Sequence, residues 1–541
     1  MLPPRLHHFC LTGLIAGALT TAATSASAPP ESHARVTNPS PALPVPPGPF
    51  EPTWASLENN YHAPAWFLDA KFGIFLHWGV YSVAARQSEW YPKHMYATPG
   101  IAAWHRAQFG PQDEVGYKDL IPLFTAEHFD PAAWAQLLRR SGAKYVMPVA
   151  EHHDGFALWD SDLTRWDAMD MGPHRDLIGE LATAVRAEGL KFGVSYHRME
   201  HWSFLWPMAD LKTDLFDPAF ADFYGHPQAP PASSEQMGDA EVMNGLSTPQ
   251  SPAFLNEWLR RGQELIDKYA PDLIYFDNGV NGRGFDSIKL QFAAYYYNRA
   301  AAWGKAVSLA TKGINAAAGP AYLAGTLLDF ERGHPSDIRP GAWQTDTTVH
   351  SRWGYLEDTQ YRSVGTLVHE LIDNVSKGGN LLLNFAPRAD GIFPPEQVAI
   401  LLGIGAWLDV NGDAIYGTRP WTRFGEGPTG LNNPGHLPEA ERIHREAVGD
   451  IPPPSYTKAD FRFTTKGNTL YAIAMNSSPL GDWVITSLAG VSPDEVRLLG
   501  HDTPLTFTVQ PDGLHVTPPS HLAHQPAYAL ALTGLPTLST P

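Results

Sequence analysis

The chain has 541 residues, enough for two or three domains with sizeable cores, and 38 Lys and Arg against 56 Asp and Glu give it a formal net charge of −18. That acidity argues against nucleic acid and anionic membrane surfaces as partners. Cys10 is the only cysteine, so neither an internal disulfide nor a cysteine metal site is available.

The chain opens with Arg5, the apolar run Cys10-Leu-Thr-Gly-Leu-Ile-Ala-Gly-Ala-Leu19 and the small-residue tail Ala26-Ser-Ala28. That order reads as a secretory signal peptide over 1–28, too short and too rich in Ala and Thr for a membrane span, and predicts a secreted or periplasmic protein. Its loss would remove one positive charge, taking −18 to −19. Residues 29–52, with Pro-Pro, Pro-Ser-Pro and Pro-Val-Pro-Pro, read as an extended lead-in.

Over 53–413 one unit recurs: helix cap, apolar helix, Gly stop, apolar strand, polar tip. Asp130-Pro131 caps a helix that Gly142 stops, and Lys144–Val149 follows as a strand. Asp176 opens the next unit, with Phe192–Tyr196 as its strand, and Ser251-Pro252 opens the one that feeds Leu273–Phe276. Further strands are predicted at Phe72–Leu76, Val307–Ala310, Thr326–Phe330 and Leu381–Asn384. Helices alternating with fully apolar strands predict parallel βαβ units, and this many in one domain predict an α/β fold of the (β/α)8 barrel type. Residues 203–250 interrupt the pattern with Pro-rich polar sequence, read as a long loop over one face. Over 414–541 short alternating runs such as Phe461–Thr464, Thr469–Ile473 and Trp483–Thr486 predict a C-terminal antiparallel β-sandwich.

Polar and aromatic groups gather where the predicted strands end: His77-Trp78, Glu89-Trp90, Glu151-His152-His153-Asp154, Tyr196-His197, Asp277 and Asp329-Phe-Glu331. A single such residue is an ordinary satisfied polar group; six such groups together are not, because each buried polar group costs free energy unless paired. Adjacent His152 and His153 would point to opposite sides of a strand, and His197-Arg-Met-Glu-His201 lacks the zincin glutamate position, so no metal site is predicted. Gly425-Glu-Gly-Pro-Thr-Gly430 has dinucleotide-type spacing but reads as a linker turn that follows no strand. What remains is a carboxylate pair, Asp277 and Glu331, among imidazoles and aromatics. Hydrolysis of a glycoside needs such a pair. Imidazoles and a Glu can hold ring hydroxyls, and aromatic faces, in a chain with 17 Trp, suit the apolar face of a sugar.

Trp66-Phe-x-x-Ala-Lys-Phe-Gly-Ile-Phe-Leu-His77-Trp-Gly-Val-Tyr-Ser-Val83 resembles the opening motif of the α-L-fucosidases of glycoside hydrolase family 29. So do Ser88-Glu-Trp-Tyr91, Ala143-Lys-Tyr through His152-His-Asp-Gly-Phe-x-Leu-Trp159, Arg175–Leu181, Pro271–Asp277, Val375–Asn384 and Gly412–Trp421, in order across about 54–425. The resemblance implies a barrel followed by a β-sandwich and exo-acting, retaining hydrolysis of terminal α-L-fucose from oligosaccharides or glycoprotein glycans, without a cofactor. Asp277 resembles the family's nucleophile, and His77, Glu89, Trp90, His152, His153 and Tyr196 match its fucose-binding positions. Tyr275 stands where an aromatic precedes the nucleophile by two. The general acid/base varies in position in the family. Glu331, twelve residues before Trp343-Gln344, is the choice by spacing, with Asp329, Asp346 and Glu357 as rivals. Lys312 stands in place of a sugar-contacting Arg, a point-like cation instead of a fork. A retaining glycosidase for a related sugar such as a galactoside, or a non-catalytic fucose-binding protein, are the alternative readings.

Overall fold

A computed structural model describes residues 40–225, 250–277, 280, 286–312, 322–429, 454–476 and 481–535. Eight parallel strands close a barrel in sequence order: β1 (Phe72–Leu76), β2 (Tyr145–Glu151), β3 (Lys191–Tyr196), β4 (Leu273–Phe276), β5 (Ser308–Lys312), β6 (Leu327–Glu331), β7 (Trp343–Thr348) and β8 (Asn380–Phe385). Pairing of β1 with β8, Phe72 opposite Leu381 through Leu76 opposite Phe385, completes the ring. The caps expected between strands are present. Asp130 accepts from the backbone N–H of Ala132 and Ala133, Asp176 from Gly179, and Ser251 from Phe254, each meeting an otherwise unpaired donor at a helix start.

Seven of the eight strands coincide with predicted apolar runs, and β7 does not. Its sequence Trp343-Gln-Thr-Asp-Thr-Thr348 is polar yet wholly buried, and Gln344 and Thr345 find their partners inside the protein. Gln344 accepts from Tyr145 Oη at 3.1 Å and donates to Asp329 Oδ2 at 2.7 Å, while Thr345 Oγ1 donates to the Gly333 carbonyl at 2.6 Å. A strand whose burial rests on hydrogen bonds gives no hydrophobic signal.

Tyr145 reaches Gln344 because Gly73 lies beside it on β1. A Cβ at Gly73 would collide with the Tyr145 ring. Residues 204–225, the described part of the long loop expected over 203–250, are anchored to the barrel by buried side chains. Phe204, Leu205, Leu215 and Phe223 are buried, Phe223 stacks on Trp166 at 4.4 Å, and Asp214 accepts from Tyr96 Oη at 2.9 Å and Tyr224 Oη at 2.5 Å. The expected loop over 226–249 lies outside the described residues.

Beyond the helix Pro395–Asn411, two antiparallel sheets follow. The first is ordered β13 (Glu495–Leu498), β16 (Tyr528–Thr533), β11 (Thr469–Ala474), β10 (Phe461–Lys466), β9 (Arg419–Glu426); the second β12 (Trp483–Ile485), β15 (Gly513–Val516), β14 (Phe507–Gln510). Phe461, Phe463, Leu470 and Leu530 of the first share one core with Trp483, Leu514 and Val516 of the second, which is sandwich packing. Gly425, read from the sequence as part of a linker turn after no strand, lies within β9. The motif begins in a strand edge of this sheet and not in a strand-to-helix turn.

Gly73→Ala is expected to cost about 1–3 kcal/mol of stability through overpacking against Tyr145. Denaturant unfolding of Gly73→Ala, Tyr145→Ala and the double variant checks this. The two costs should be strongly non-additive, because removing the ring removes the collision.

Candidate active site

The ends of the barrel strands bring together one cluster of ionisable groups, at the face where (β/α)8 barrels keep their chemistry. His77 follows β1, His152 and His153 follow β2, His197 follows β3 and Asp277 follows β4. Lys312 ends β5, Glu331 ends β6, and Asn384 lies in β8. At the centre, the Lys312 ammonium contacts Asp277 Oδ1 and lies 2.5 Å from Glu331 Oε2. Because one ammonium touches an oxygen of each carboxylate, those two oxygens lie within about 5 Å of each other, a spacing compatible with the roughly 5–5.5 Å separation of a retaining pair. Asp277 Oδ2 also lies 3.1 Å from His197 Nδ1 and 3.6 Å from His153 Nε2.

These neighbours decide the charges. Burial by itself would raise Asp277, but Lys312, His197 and His153 together hold it well below the usual carboxylate range. Burial opposes the charge on Lys312, but Asp277, Glu331 and Asp346 keep it protonated far above its ordinary range. Burial, reinforced by neighbouring imidazoles, drives His77 and His152 well below the ordinary imidazole value, and burial takes His197 down to about 4 although Asp277 opposes it. All three are neutral at neutral pH. His153 differs. Burial again pulls it down, but Glu200 Oε2 at 3.0 Å, with Asp277, more than compensates and raises it.

The neutral imidazoles have defined orientations. Asn384 Nδ2 donates to the Trp353 carbonyl at 2.8 Å, which leaves Asn384 Oδ1, 2.7 Å from His77 Nδ1, to accept the ring proton. His77 Nε2 is therefore an acceptor. His152 Nδ1 is buried with no hydrogen-bond partner among the described residues. The pair His152 and His153 does not split across a strand as expected. Both residues lie past the end of β2, in a turn closed by Gly155 N–H donating to the His152 carbonyl at 3.2 Å, and their ring centroids are 4.1 Å apart. Gly155 has φ +81, and a Cβ there would press on His201.

Glu89 Oε2 accepts from the backbone N–H of Trp353 at 3.1 Å and of Gly354 at 3.0 Å, fixing the segment after β7 over the cluster. Trp353, which sequence reasoning did not single out, lies with its ring 5.0 Å from His77 and 5.9 Å from Phe75. An isolated aromatic after a polar strand carries no pattern to mark it. Trp90 meets His153 edge-on at 5.8 Å and packs on Phe204 at 5.5 Å.

Two predicted contacts fall elsewhere. Tyr196 faces outward: its Oη donates to the Trp258 carbonyl at 2.9 Å and its ring stacks on Trp258, because strand alternation turns Ser195 and His197 inward and Tyr196 out. His197 occupies the inward position instead. Tyr275 does point inward, but below the cluster, buried and donating to Asp346 Oδ2 at 3.2 Å. Of the rivals to Glu331, Asp329 and Asp346 are buried in the barrel interior, and Glu357 is exposed with its backbone N–H bonded to the Ala85 carbonyl. Glu331, with 35% of its side chain exposed, both contacts Lys312 and opens to solvent.

Among the described residues, His77, His152 and His197, or His153, His197 and Asp277, have ligand atoms within 4.8 Å of one another, close enough to be considered for a metal ion. Both groups require His197, whose Nδ1 faces Asp277 and whose Nε2 is bonded to Ser195 Oγ, so a metal would have to break an existing contact.

The α-L-fucosidase family model matches residues 42–413, the whole span that carries this cluster. The chain belongs to the α-L-fucosidase family, and it is a glycoside hydrolase. It is 30% identical to the tissue α-L-fucosidase of Bos taurus over 499 residues, covering 90% of this chain and 92% of that one. It is 31% identical to the plasma α-L-fucosidase of Rattus norvegicus over 502 residues, with 90% and 94% covered. The crystal structure of the Thermotoga maritima α-fucosidase in complex with fucose superposes with a TM-score of 0.67 at 29% identity, covering 90% of this chain and all of that one.

Glu200→Gln should reverse the behaviour of His153, since burial is then opposed only by Asp277 and the hydrogen bond to the His197 carbonyl. Imidazole NMR titration should show His153 moving from above its ordinary value to below it. The sign for stability follows. In the native sequence His153 contributes stability that is complete below about pH 6.5 and lost as pH rises through its raised folded value. In Glu200→Gln that contribution should disappear.

Proposed function

We propose that this fucosidase releases terminal α-L-fucose from glycans by double displacement, with Asp277 as nucleophile and Glu331 as general acid/base. The observation that carries the assignment is the single ammonium touching both carboxylates at the tips of β4 and β6. Asp277, held ionised, attacks the anomeric carbon as the glycosidic bond breaks, and Glu331 gives its proton to the departing oxygen. Water then enters, Glu331 takes its proton, and the hydroxyl displaces Asp277, so the sugar leaves with its original configuration. Asp277 is the deeper of the two, 12% exposed, and Glu331 stands on the solvent side where a leaving group departs.

His77 and His152, neutral by burial, offer nitrogens to the ring hydroxyls, and Trp353 and Trp90 offer faces to the apolar side of the sugar. His153, charged through Glu200, and Lys312 keep Asp277 anionic. We assign the chemistry to residues 53–413 and a supporting role to 414–541, since every candidate group lies on the barrel. A secreted or periplasmic setting is supported by Arg5, the apolar run to Leu19 and Ala26-Ser-Ala28.

Asp277→Gly should retain the fold and lose nearly all hydrolysis of nitrophenyl α-L-fucoside. Added azide, entering the space of the lost carboxylate, should restore turnover and yield β-fucosyl azide; near-normal activity without azide would remove the nucleophile assignment.

Glu331→Ala should separate substrates by leaving group. A proton donor contributes roughly 10²–10⁴-fold, most for a basic leaving group. The variant should lose far more activity on fucosylated oligosaccharides than on nitrophenyl fucoside, measured as kcat/KM. Equal losses on both would point to a different acid.

A further inference from the structure

The acid role of Glu331 meets an obstacle in its own neighbourhood. A general acid must hold its proton, yet the Lys312 ammonium, a fixed positive charge, lies 2.5 Å from Glu331. Behind Lys312 lie two buried carboxyl groups that the mechanism leaves unused. In the parallel ladders Lys312 is opposite Asp329, and Glu331 is opposite Asp346. The Asp329 and Asp346 carboxyl groups lie within hydrogen-bonding reach of each other, both fully buried. Asp329 Oδ2 accepts from Gln344 Nε2 at 2.7 Å and Asp346 Oδ2 from Tyr275 Oη at 3.2 Å, while each Oδ1 has no donor among the described residues. Two carboxylates have no hydrogen to share, and two adjacent buried charges are strongly disfavoured.

We propose that Asp329 and Asp346 form a dyad sharing one proton, whose single negative charge offsets Lys312 so that Glu331 keeps the proton it donates. This rests on the assignment of Glu331 given above. The groups facing the dyad are Lys312 from β5, Glu331 and Arg332 from the end of β6, Asp277 and Tyr275 from β4, and Tyr145 from β2. Among these, Lys312 is the cation that lies between the dyad and both reacting carboxylates. Burial pushes both dyad carboxyls above the usual range, in keeping with a retained proton. Asp329 and Asp346 are positioning residues here, since they act on the sugar only through Lys312 and Glu331.

Infrared spectroscopy at neutral pH tests the shared proton directly. The wild-type protein should show the carbonyl stretch of a buried, protonated carboxylic acid, and it should be absent from Asp329→Asn/Asp346→Asn. Asn at both positions preserves acceptors for Gln344 and Tyr275. The pH dependence of kcat/KM on methyl α-L-fucoside, whose alkoxide leaving group needs the proton, tests the effect on Glu331. In the double variant the alkaline limb should move to lower pH by about one unit, the size expected for losing one nearby charge. A weaker catalyst with an unmoved limb would reduce the pair to a structural role and overturn the proposal, as would absence of the carbonyl band in wild type. The two readings fail separately. If Glu331 is not the acid, Glu331→Gln keeps the alkaline limb while the infrared band persists. If the double variant does not fold, Asp346→Asn decides: Asp329 then carries the single charge alone, so the infrared band should vanish while the alkaline limb stays, and a surviving band would overturn the proposal.

Discussion

A lysine ammonium between two carboxylates is the contact on which this site depends. Asp277 and Glu331 sit at the tips of β4 and β6, and without a cation between them their mutual repulsion in a buried setting would drive a proton onto one permanently. Lys312, delivered by the intervening strand β5, allows Asp277 to stay anionic. Strand order in the barrel makes this geometry available, since neighbouring strands place three consecutive tips side by side. A point-like ammonium can touch one oxygen of each partner, whereas a guanidinium fork would tend to grip both oxygens of one.

The imidazoles around that contact divide by partner and not by depth. His77, His152, His153 and His197 are all buried, yet only His153 has a carboxylate, Glu200, aimed at it as an ion pair outside the reacting group. Burial settles the other three as neutral rings, suited to exchanging hydrogen bonds with hydroxyls. The one charged ring adds to Lys312 in holding Asp277 low. Four chemically identical side chains thus supply two functions through what lies behind them.

Much of this was legible in the sequence, in proportion to how far each feature rests on apolar patterning. Phe72–Leu76 and Leu273–Phe276 were read to their ends because both are short, wholly apolar and bounded by polar tips. Strand β7 was not, because Gln344, Thr345 and Asp346 are buried by hydrogen bonding to groups remote in sequence. Motif matching pointed to Asp277, His77, His152 and His153, which the fold gathers into one cluster, and to Tyr196, which faces outward beside an inward His197, since one position along a strand reverses the face. Lys312 was identified as a cation near the sugar, but its contact with both carboxylates depends on the register of β4, β5 and β6, which no single strand encodes. The same holds for Trp353, fixed over His77 by the carboxylate of Glu89 from more than 260 residues away.

The C-terminal sheets reach this site through a chain of specific contacts. Arg462 of β10 is fully buried and donates through Nε to Asp373 Oδ1 at 2.6 Å, and Lys377 contacts the other oxygen of Asp373 at 2.6 Å. Asp373 lies on the helix Val364–Ser376, which leads directly into β8. Further up β8, Asn384 orients the His77 ring and holds the Trp353 carbonyl. A buried ion pair contributes little net stability once its desolvation is counted, but it is strict about geometry, and removing one partner leaves an uncompensated charge. Its value here is positional. Arg462 and Lys377 both grip Asp373 on the helix that leads into β8, and Asn384 of β8 orients the His77 ring. Among the described residues, the β-sandwich is therefore tied through Arg462 and Asp373 to the strand whose Asn384 orients His77, while the ionisable cluster itself is drawn from the barrel.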